Sequence, residues 1–122
     1  MTIAIWCILV AGVLPYVAFS FVRRADVDEP RAHVADLDPR SVRALGAEMN
    51  AFEVFPFFAA AVIVAQVVAG ARTFTDVAAV VYVLVRIGHL AAYLGRNQPA
   101  RTAAFALGQV VAVAIFVSPL FR

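Results

Sequence analysis

The chain has 122 residues, of which 64% are hydrophobic and 15% are charged, with a net charge of +2 and a mean hydropathy of +0.90. A soluble domain contains about 45–50% apolar and roughly 25% charged residues, so this chain has too little polar surface to cover a globule in water. We therefore expect an integral membrane protein with a single domain over residues 1–122, and the small net charge gives no indication of a nucleic-acid partner.

Four apolar segments predict an all-α fold, a four-helix up-down bundle in the membrane. Each segment is close to the roughly 20 residues needed to cross a hydrocarbon core. A long charged connection follows the first segment, and short turns follow the second and the third. The predicted helices cover about residues 3–22, 40–69, 74–94 and 99–121.

The first segment carries no basic residue ahead of its apolar run, so we expect a retained membrane helix rather than a cleaved signal peptide. Cys7 is the only cysteine, which excludes an intrachain disulfide, and we interpret it as a small apolar filler.

Capping and helix-terminating residues indicate where the predicted helices begin and end. Asp38 followed by Pro39 is typical of an N-cap before a proline in the first turn of helix 2. Thr73 or Thr75 is expected to cap helix 3, and Gly95 is expected to end it.

The arginines are distributed unequally between the two sides of the predicted bundle. Every basic residue in the chain is arginine, which is compatible with a GC-rich bacterial genome. The side that holds loops 1 and 3 carries Arg23, Arg24, Arg31, Arg40, Arg43, Arg96 and Arg101, and the other side carries Arg72 and Arg122. The positive-inside rule therefore predicts that loops 1 and 3 face the cytoplasm of a bacterial inner membrane and that both termini lie outside.

Polar residues inside two predicted helices form the candidate site. In "NAFEVFP", Asn50 and Glu53 share a face of helix 2. In "RIGHLAAYLG", Arg86, His89 and Tyr93 share a face of helix 3. An unpaired arginine at that depth costs about 3 kcal/mol or more, and Glu53 is the carboxylate at a matching depth. We expect Arg86 and Glu53 to pair, or to share a polar ligand, in a cavity open to the cytoplasm; a purely structural ion pair is the alternative.

Three arginines at helix ends surround this predicted cavity: Arg23 and Arg24 at the end of helix 1, and Arg101 at the start of helix 4. Each could instead extend to lipid phosphates, as interfacial arginines commonly do. Together they suit an anionic ligand and would lower the pKa of a bound thiol. No metal site is predicted, because the two histidines, His33 and His89, are far apart in the sequence and His33 is in a loop.

With these motifs, the chain resembles the MAPEG family, the membrane-associated proteins in eicosanoid and glutathione metabolism. "NAFEVFPFF" is similar to the helix-2 Asn-x-x-Glu-x-x-Pro signature, and "RIGHLAAYLG" followed by "PAR" is similar to the helix-3 signature with the arginine that opens helix 4. The resemblance implies a homotrimer in contact with membrane lipids, with one cytoplasm-facing site at each subunit interface.

The resemblance also implies roles for the site residues. Glutathione or another low-molecular-weight thiol would be the cosubstrate, and the thiolate would attack a hydrophobic electrophile or reduce a lipid peroxide. Arg101 would stabilise the thiolate, with the Thr102 hydroxyl near the thiol. The residues implied in binding the thiol compound are Asn50, Glu53, Arg86, His89, Tyr93 and Arg23 or Arg24.

One position departs from the family pattern. Catalytic members often carry an arginine one turn before the helix-2 asparagine, and this chain has Gly46 there, with Arg43 a further turn back. A non-catalytic lipid-binding or scaffold protein of the same fold therefore remains an alternative to a thiol transferase or peroxidase. A small four-helix drug/proton exporter fits less well, because such exporters place a carboxylate in helix 1 and helix 1 here has no charge.

Overall fold

A computed structural model describes residues 1–23 and 37–121 of the chain. The described chain forms four α-helices: α1 (Ile3–Phe19), α2 (Pro39–Ala69), α3 (Thr73–Leu94) and α4 (Gln98–Val117), the last followed by a 3₁₀ turn at Ser118–Phe121. The long apolar helices α2, α3 and α4 (with its 3₁₀ turn) have the length and composition to cross a membrane, and α1 is a shorter apolar helix. The fold is therefore an all-α bundle of the membrane type.

Two helices end earlier than their apolar runs. α1 stops at Phe19, three residues before the predicted end. The Ser20 hydroxyl donates to the Val17 carbonyl there, and the Phe21 amide bonds three residues back, to the Ala18 carbonyl. The Arg23 amide donates to the Ser41 hydroxyl at 2.7 Å, which fixes the chain after α1 against the first turn of α2. α4 tightens into the 3₁₀ turn at Ser118, where Pro119 brings no amide hydrogen to continue the α-helical pattern.

The predicted cap at the start of α2 and the predicted end of α3 at Gly95 are confirmed, and the predicted threonine cap at the start of α3 is wrong. The Asp38 carboxylate accepts from the Ser41 amide at 2.7 Å, with Pro39 in the first turn. At α3 the N-cap is Arg72, which makes no side-chain cap bond, and Thr75 is buried within the helix. The Arg72 guanidinium instead donates to the Ser118 carbonyl at 3.0 Å, so it ties α3 to the end of α4.

Small residues on one face of α1 allow close packing against α2 and α3. The buried residues of this face are Ala4, Cys7, Ala11, Pro15 and Ala18. Cys7 is thus a buried packing residue, as the sequence predicts. In the centre of the bundle, the Phe58 and Tyr82 rings stack with centroids 3.8 Å apart, which joins α2 to α3.

Polar contacts tie the helices together at the end of the bundle where α2 meets α3. The Gln66 side chain donates to the Thr2 hydroxyl at 3.0 Å, as an interhelical bond from α2. The Ala4 amide donates to an Asp76 carboxylate oxygen at 2.8 Å. The opposite end, where α3 turns into α4, contains the candidate site.

Candidate functional site

A cavity of about 510 Å³ lies between the first half of α2, the end of α3 and the start of α4. Its lining combines polar groups with apolar side chains and one glycine. The lining residues are Gly46, Met49, Asn50, Glu53, His89, Tyr93, Arg101, Thr102 and Phe105. The volume lies within the roughly 300–1,000 Å³ typical of small-molecule pockets.

The structure brings most of the predicted site residues to this cavity. Those that line it are Asn50, Glu53, His89, Tyr93, Arg101 and Thr102. Arg86 lies behind the wall, 5% exposed, and is in contact with Asn50. Arg23 does not line the cavity; it is exposed beside the first turn of α2. Arg24 lies outside the described residues, so its predicted place beside the site has no counterpart here.

The partner of the buried Arg86 guanidinium is Asn50. Its Nη2 donates to the Asn50 side-chain oxygen at 2.7 Å, whereas Glu53 is exposed in the cavity wall. The expected direct ion pair between Arg86 and Glu53 is therefore wrong, and a polar ligand shared by the two residues stays a prediction. Three helical residues turn by 300°, so Glu53 is displaced by about 60° around α2 from Asn50, and only Asn50 faces the contact with α3.

Tyr93 is held between helices on both sides of its ring. The guanidinium carbon of Arg101 lies 4.5 Å from the ring centroid, in cation–π geometry. The His89 ring meets Tyr93 edge-on, with centroids 5.7 Å apart. On the α2 side, a Cβ added at Gly46 would lie 2.9 Å from the Tyr93 Cζ and closer still to its hydroxyl oxygen. Gly46 therefore provides the space that the Tyr93 ring occupies.

The remaining lining residues are apolar and were not predicted from the sequence. Phe105 follows Arg101 by four residues on α4, so it shares the face that carries the arginine. That periodicity was the available signal for Phe105. Met49 lies next to Asn50 in sequence and is largely exposed, and no motif distinguishes it from a lipid-facing residue.

The cavity combines complementary charges. Among the described lining residues, Arg101 supplies a cation and Glu53 a carboxylate, and Asn50 and Thr102 add an amide and a hydroxyl. This set can hold a zwitterionic polar molecule and stabilise a negative charge next to the arginine. Within residues 1–23 and 37–121, no three histidine, cysteine, aspartate or glutamate side chains come together as a metal site.

Comparison with protein families decides the assignment. The model of the MAPEG family matches residues 3–121, which is essentially the whole chain. The chain belongs to the MAPEG family. MAPEG proteins are membrane proteins associated with glutathione and eicosanoid metabolism, and the family includes glutathione transferases and related enzymes. Comparison with curated protein sequences gives no significant match, so the assignment to MAPEG depends on the family model together with the helical membrane fold.

Proposed function

We propose that this MAPEG protein is a membrane-bound thiol transferase or peroxidase. Its cavity would bind glutathione or a related low-molecular-weight thiol, and its second substrate would be a hydrophobic electrophile or a lipid peroxide. The convergence of Arg101 and Thr102 from α4 with Asn50 and Glu53 from α2 in one cavity is the observation that supports this proposal most strongly.

The residues of the cavity suit the functional groups of glutathione. Glu53 matches the ammonium group, and Asn50 can bond to a peptide unit or a carboxylate. The positive charge of the Arg101 guanidinium favours the thiolate over the thiol. The Thr102 hydroxyl, next to Arg101 on α4, can donate to the same sulfur. Met49 and Phe105 provide the apolar wall that a hydrophobic second substrate needs.

The proposed reaction begins when the bound thiol loses its proton and the thiolate attacks. In transfer, sulfur forms a bond to an electrophilic carbon, and either a leaving group departs with its electron pair or the adduct takes up the proton. In peroxide reduction, two thiols are oxidised to a disulfide while the hydroperoxide is reduced to an alcohol and water. Arg101 contributes electrostatic stabilisation of the thiolate in both cases.

The proposed assembly is a homotrimer in a bacterial inner membrane, with the cavity end of the bundle in the cytoplasm and both termini outside. The distribution of charge supports this orientation: Arg23, Arg40, Arg43, Arg96 and Arg101 lie at the cavity end, and Arg72 lies at the other. A neighbouring subunit would complete the site, and Arg23 or Arg24 would approach the ligand in that assembly.

The proposal is tested by mixing detergent-purified protein with glutathione and recording the ultraviolet absorbance of the thiolate. We expect a thiolate signal near neutral pH that is lost in Arg101→Ala, because the cation beside the sulfur is removed. Arg40→Ala is the matched control, since Arg40 is exposed at the start of α2 and does not line the cavity. Equal thiolate signals in all three proteins would contradict the role of Arg101.

Calorimetry with a panel of low-molecular-weight thiols distinguishes the enzyme from the alternative, a non-catalytic lipid-binding protein. The glycine at position 46, in place of a family arginine, is the observation that favours this alternative. Binding of at least one thiol supports the proposed enzyme. If none of the thiols binds, the result favours a non-catalytic lipid-binding protein.

A further inference from the structure

A second cavity, of about 190 Å³, lies at the α3–α4 turn. Its walls come from the first turns of α2, the end of α3 and the start of α4. They are Arg43, Ala92, Tyr93, Arg96, Asn97, Gln98 and Arg101. Tyr93 and Arg101 line this cavity as well as the candidate thiol site, so the two cavities are adjacent.

The charged residues known to line this second cavity are all positive. Three of the lining residues are arginines, and none of the described lining residues has a carboxylate. The three arginines bring like charges to one small volume, where they repel one another, and an anion between them would reduce that repulsion.

For two of these arginines, hydrogen bonds within residues 1–23 and 37–121 do not explain their positions. The Arg43 Nε is buried and has no hydrogen-bond partner within the described chain. A buried donor without a partner is costly, and an absent ligand is one of its ordinary explanations. Arg101 makes its described side-chain contact with the face of the Tyr93 ring, which leaves its nitrogen atoms available.

The backbone at Arg96 provides a separate indication. Arg96 has a φ of +61°, the left-handed conformation that favours glycine, while the adjacent Gly95 has an ordinary φ of −80°. The Asn97 amide bonds to the Ala92 carbonyl at 2.9 Å, so Arg96 occupies the left-handed position of a helix C-terminal motif. Glycine would adopt this backbone conformation at a lower cost in free energy than arginine does. The residue present is nevertheless an arginine, and it lines the cavity.

We propose that Arg43, Arg96 and Arg101 form a binding site for a phosphate group. A phosphate monoester carries close to two negative charges and several acceptor oxygens, and planar guanidinium groups bind such oxygens in pairs. The group could be free phosphate or the headgroup of an anionic lipid, since the turn follows the apolar α3 at the end of its membrane span. The site does not depend on the thiol chemistry proposed for the larger cavity.

The first test is calorimetric titration of the purified protein in non-ionic detergent with inorganic phosphate, at about 0.15 M salt to screen non-specific attraction. The variants are Arg43→Gln and Arg96→Gly, and neither residue lines the candidate thiol site. We expect phosphate binding to weaken at least about tenfold in each, because each loses a charge-assisted hydrogen bond. Arg40→Gln removes the same charge from an exposed position on α2 and is expected to bind as the wild type does.

The second test examines the lipid source with protein reconstituted in phosphatidylcholine, with and without phosphatidic acid, and native mass spectrometry of the lipid that is retained. Selective retention of phosphatidic acid by the wild type and Arg40→Gln supports a headgroup site, and selective binding of inorganic phosphate supports a soluble ligand. Thermal unfolding checks the fold, and Arg96→Gly is expected to be at least as stable as Arg96→Ala. Absence of binding by both probes, or equal binding by all variants, would overturn the proposal.

Discussion

Gly46 is a packing requirement of the candidate site. The ring of Tyr93 extends across α2 at this residue, so a side chain at position 46 has no room while Tyr93 keeps its place between Arg101 and His89. The family resemblance implies an arginine here in catalytic members. In this chain, the space is taken by an aromatic hydroxyl, and the nearest cation on the N-terminal side of α2 is Arg43.

We predict that Gly46→Ala lowers the free energy of unfolding by about 1–3 kcal/mol, the usual cost of overpacking. The added Cβ would meet the Tyr93 hydroxyl first and Cζ at 2.9 Å. In a Tyr93→Phe background, the same substitution should cost less, because the closest atom is gone. Unfolding of all four proteins in one detergent measures the interaction, and an identical cost in both backgrounds would contradict the contact.

The hydrogen bond from Arg86 to Asn50 predicts a second residue-scale effect. Asn50→Ala removes the acceptor of a guanidinium that is 5% exposed, and we expect it to lower the free energy of unfolding by about 2–3 kcal/mol. Glu53→Gln is the control; Glu53 is exposed in the cavity, so a change within about 0.5 kcal/mol is expected. If Glu53→Gln lowered the free energy of unfolding more than Asn50→Ala does, the result would instead support the predicted ion pair between Arg86 and Glu53.

The contacts of Gly46 with Tyr93 and of Arg86 with Asn50 could not be predicted from the sequence. Spacing within one helix correctly brings Asn50 and Glu53 to one cavity, and likewise His89 and Tyr93, because helical periodicity is local. It does not show that Arg86, on the same helix, lies behind the cavity wall. The choice of Asn50 over Glu53 as the partner of Arg86 depends on how α2 is rotated against α3. That rotation is set by side-chain packing along both helices, which no single motif contains.

At the scale of the helices, the beginnings and ends are determined by different kinds of interaction. Asp38 and Pro39 define the start of α2 through a local hydrogen bond, and this was predictable from the sequence. The start of α3 at Arg72 could not be predicted in this way, because the Arg72 guanidinium donates to the carbonyl of Ser118, which is distant in the sequence. The predicted end of α3 at Gly95 is confirmed, but the left-handed conformation that follows it is adopted by Arg96 and not by the glycine.

The cap of α2 predicts a dependence of stability on pH. The amide of Ser41 donates to the Asp38 carboxylate, and this bond holds the pKa of the carboxyl below its ordinary value of 3.8. Because the folded pKa is lowered, the stabilisation is fully present above the unfolded pKa and is lost as the pH falls through the folded pKa. We expect the unfolding temperature of the wild type to decline more steeply below about pH 4 than that of Asp38→Asn. Parallel declines would contradict this contribution.

At the scale of the molecule, the single chain leaves much apolar surface on its long helices. Val67, Leu84 and Val110 are each more than 60% exposed. Such faces contact lipid or other subunits in a membrane protein, and the sequence pattern alone cannot distinguish these two surroundings because both are apolar. The number and identity of the helices could be predicted from hydropathy, whereas the proposed trimer rests only on the family resemblance.

The proposed trimer predicts a species of three times the 13.1 kDa chain mass in native mass spectrometry from mild detergent. Because the proposed site lies at the subunit interface, disruption of the assembly should also abolish thiol binding, whereas harsher detergent that leaves the trimer intact should not. A monomer that binds the thiol with undiminished affinity would contradict an interfacial site.

The wall formed by Tyr93 and Arg101 has a thermodynamic consequence, since it belongs to both cavities. A ligand in either cavity that changes the position or the free energy of this pair must change the affinity of the other cavity. Linkage requires the effect to be reciprocal: the factor by which an anion alters thiol binding equals the factor by which the thiol alters anion binding. The Tyr93–Arg101 contact would then set the sign and size of a cooperativity between two sites within one small bundle.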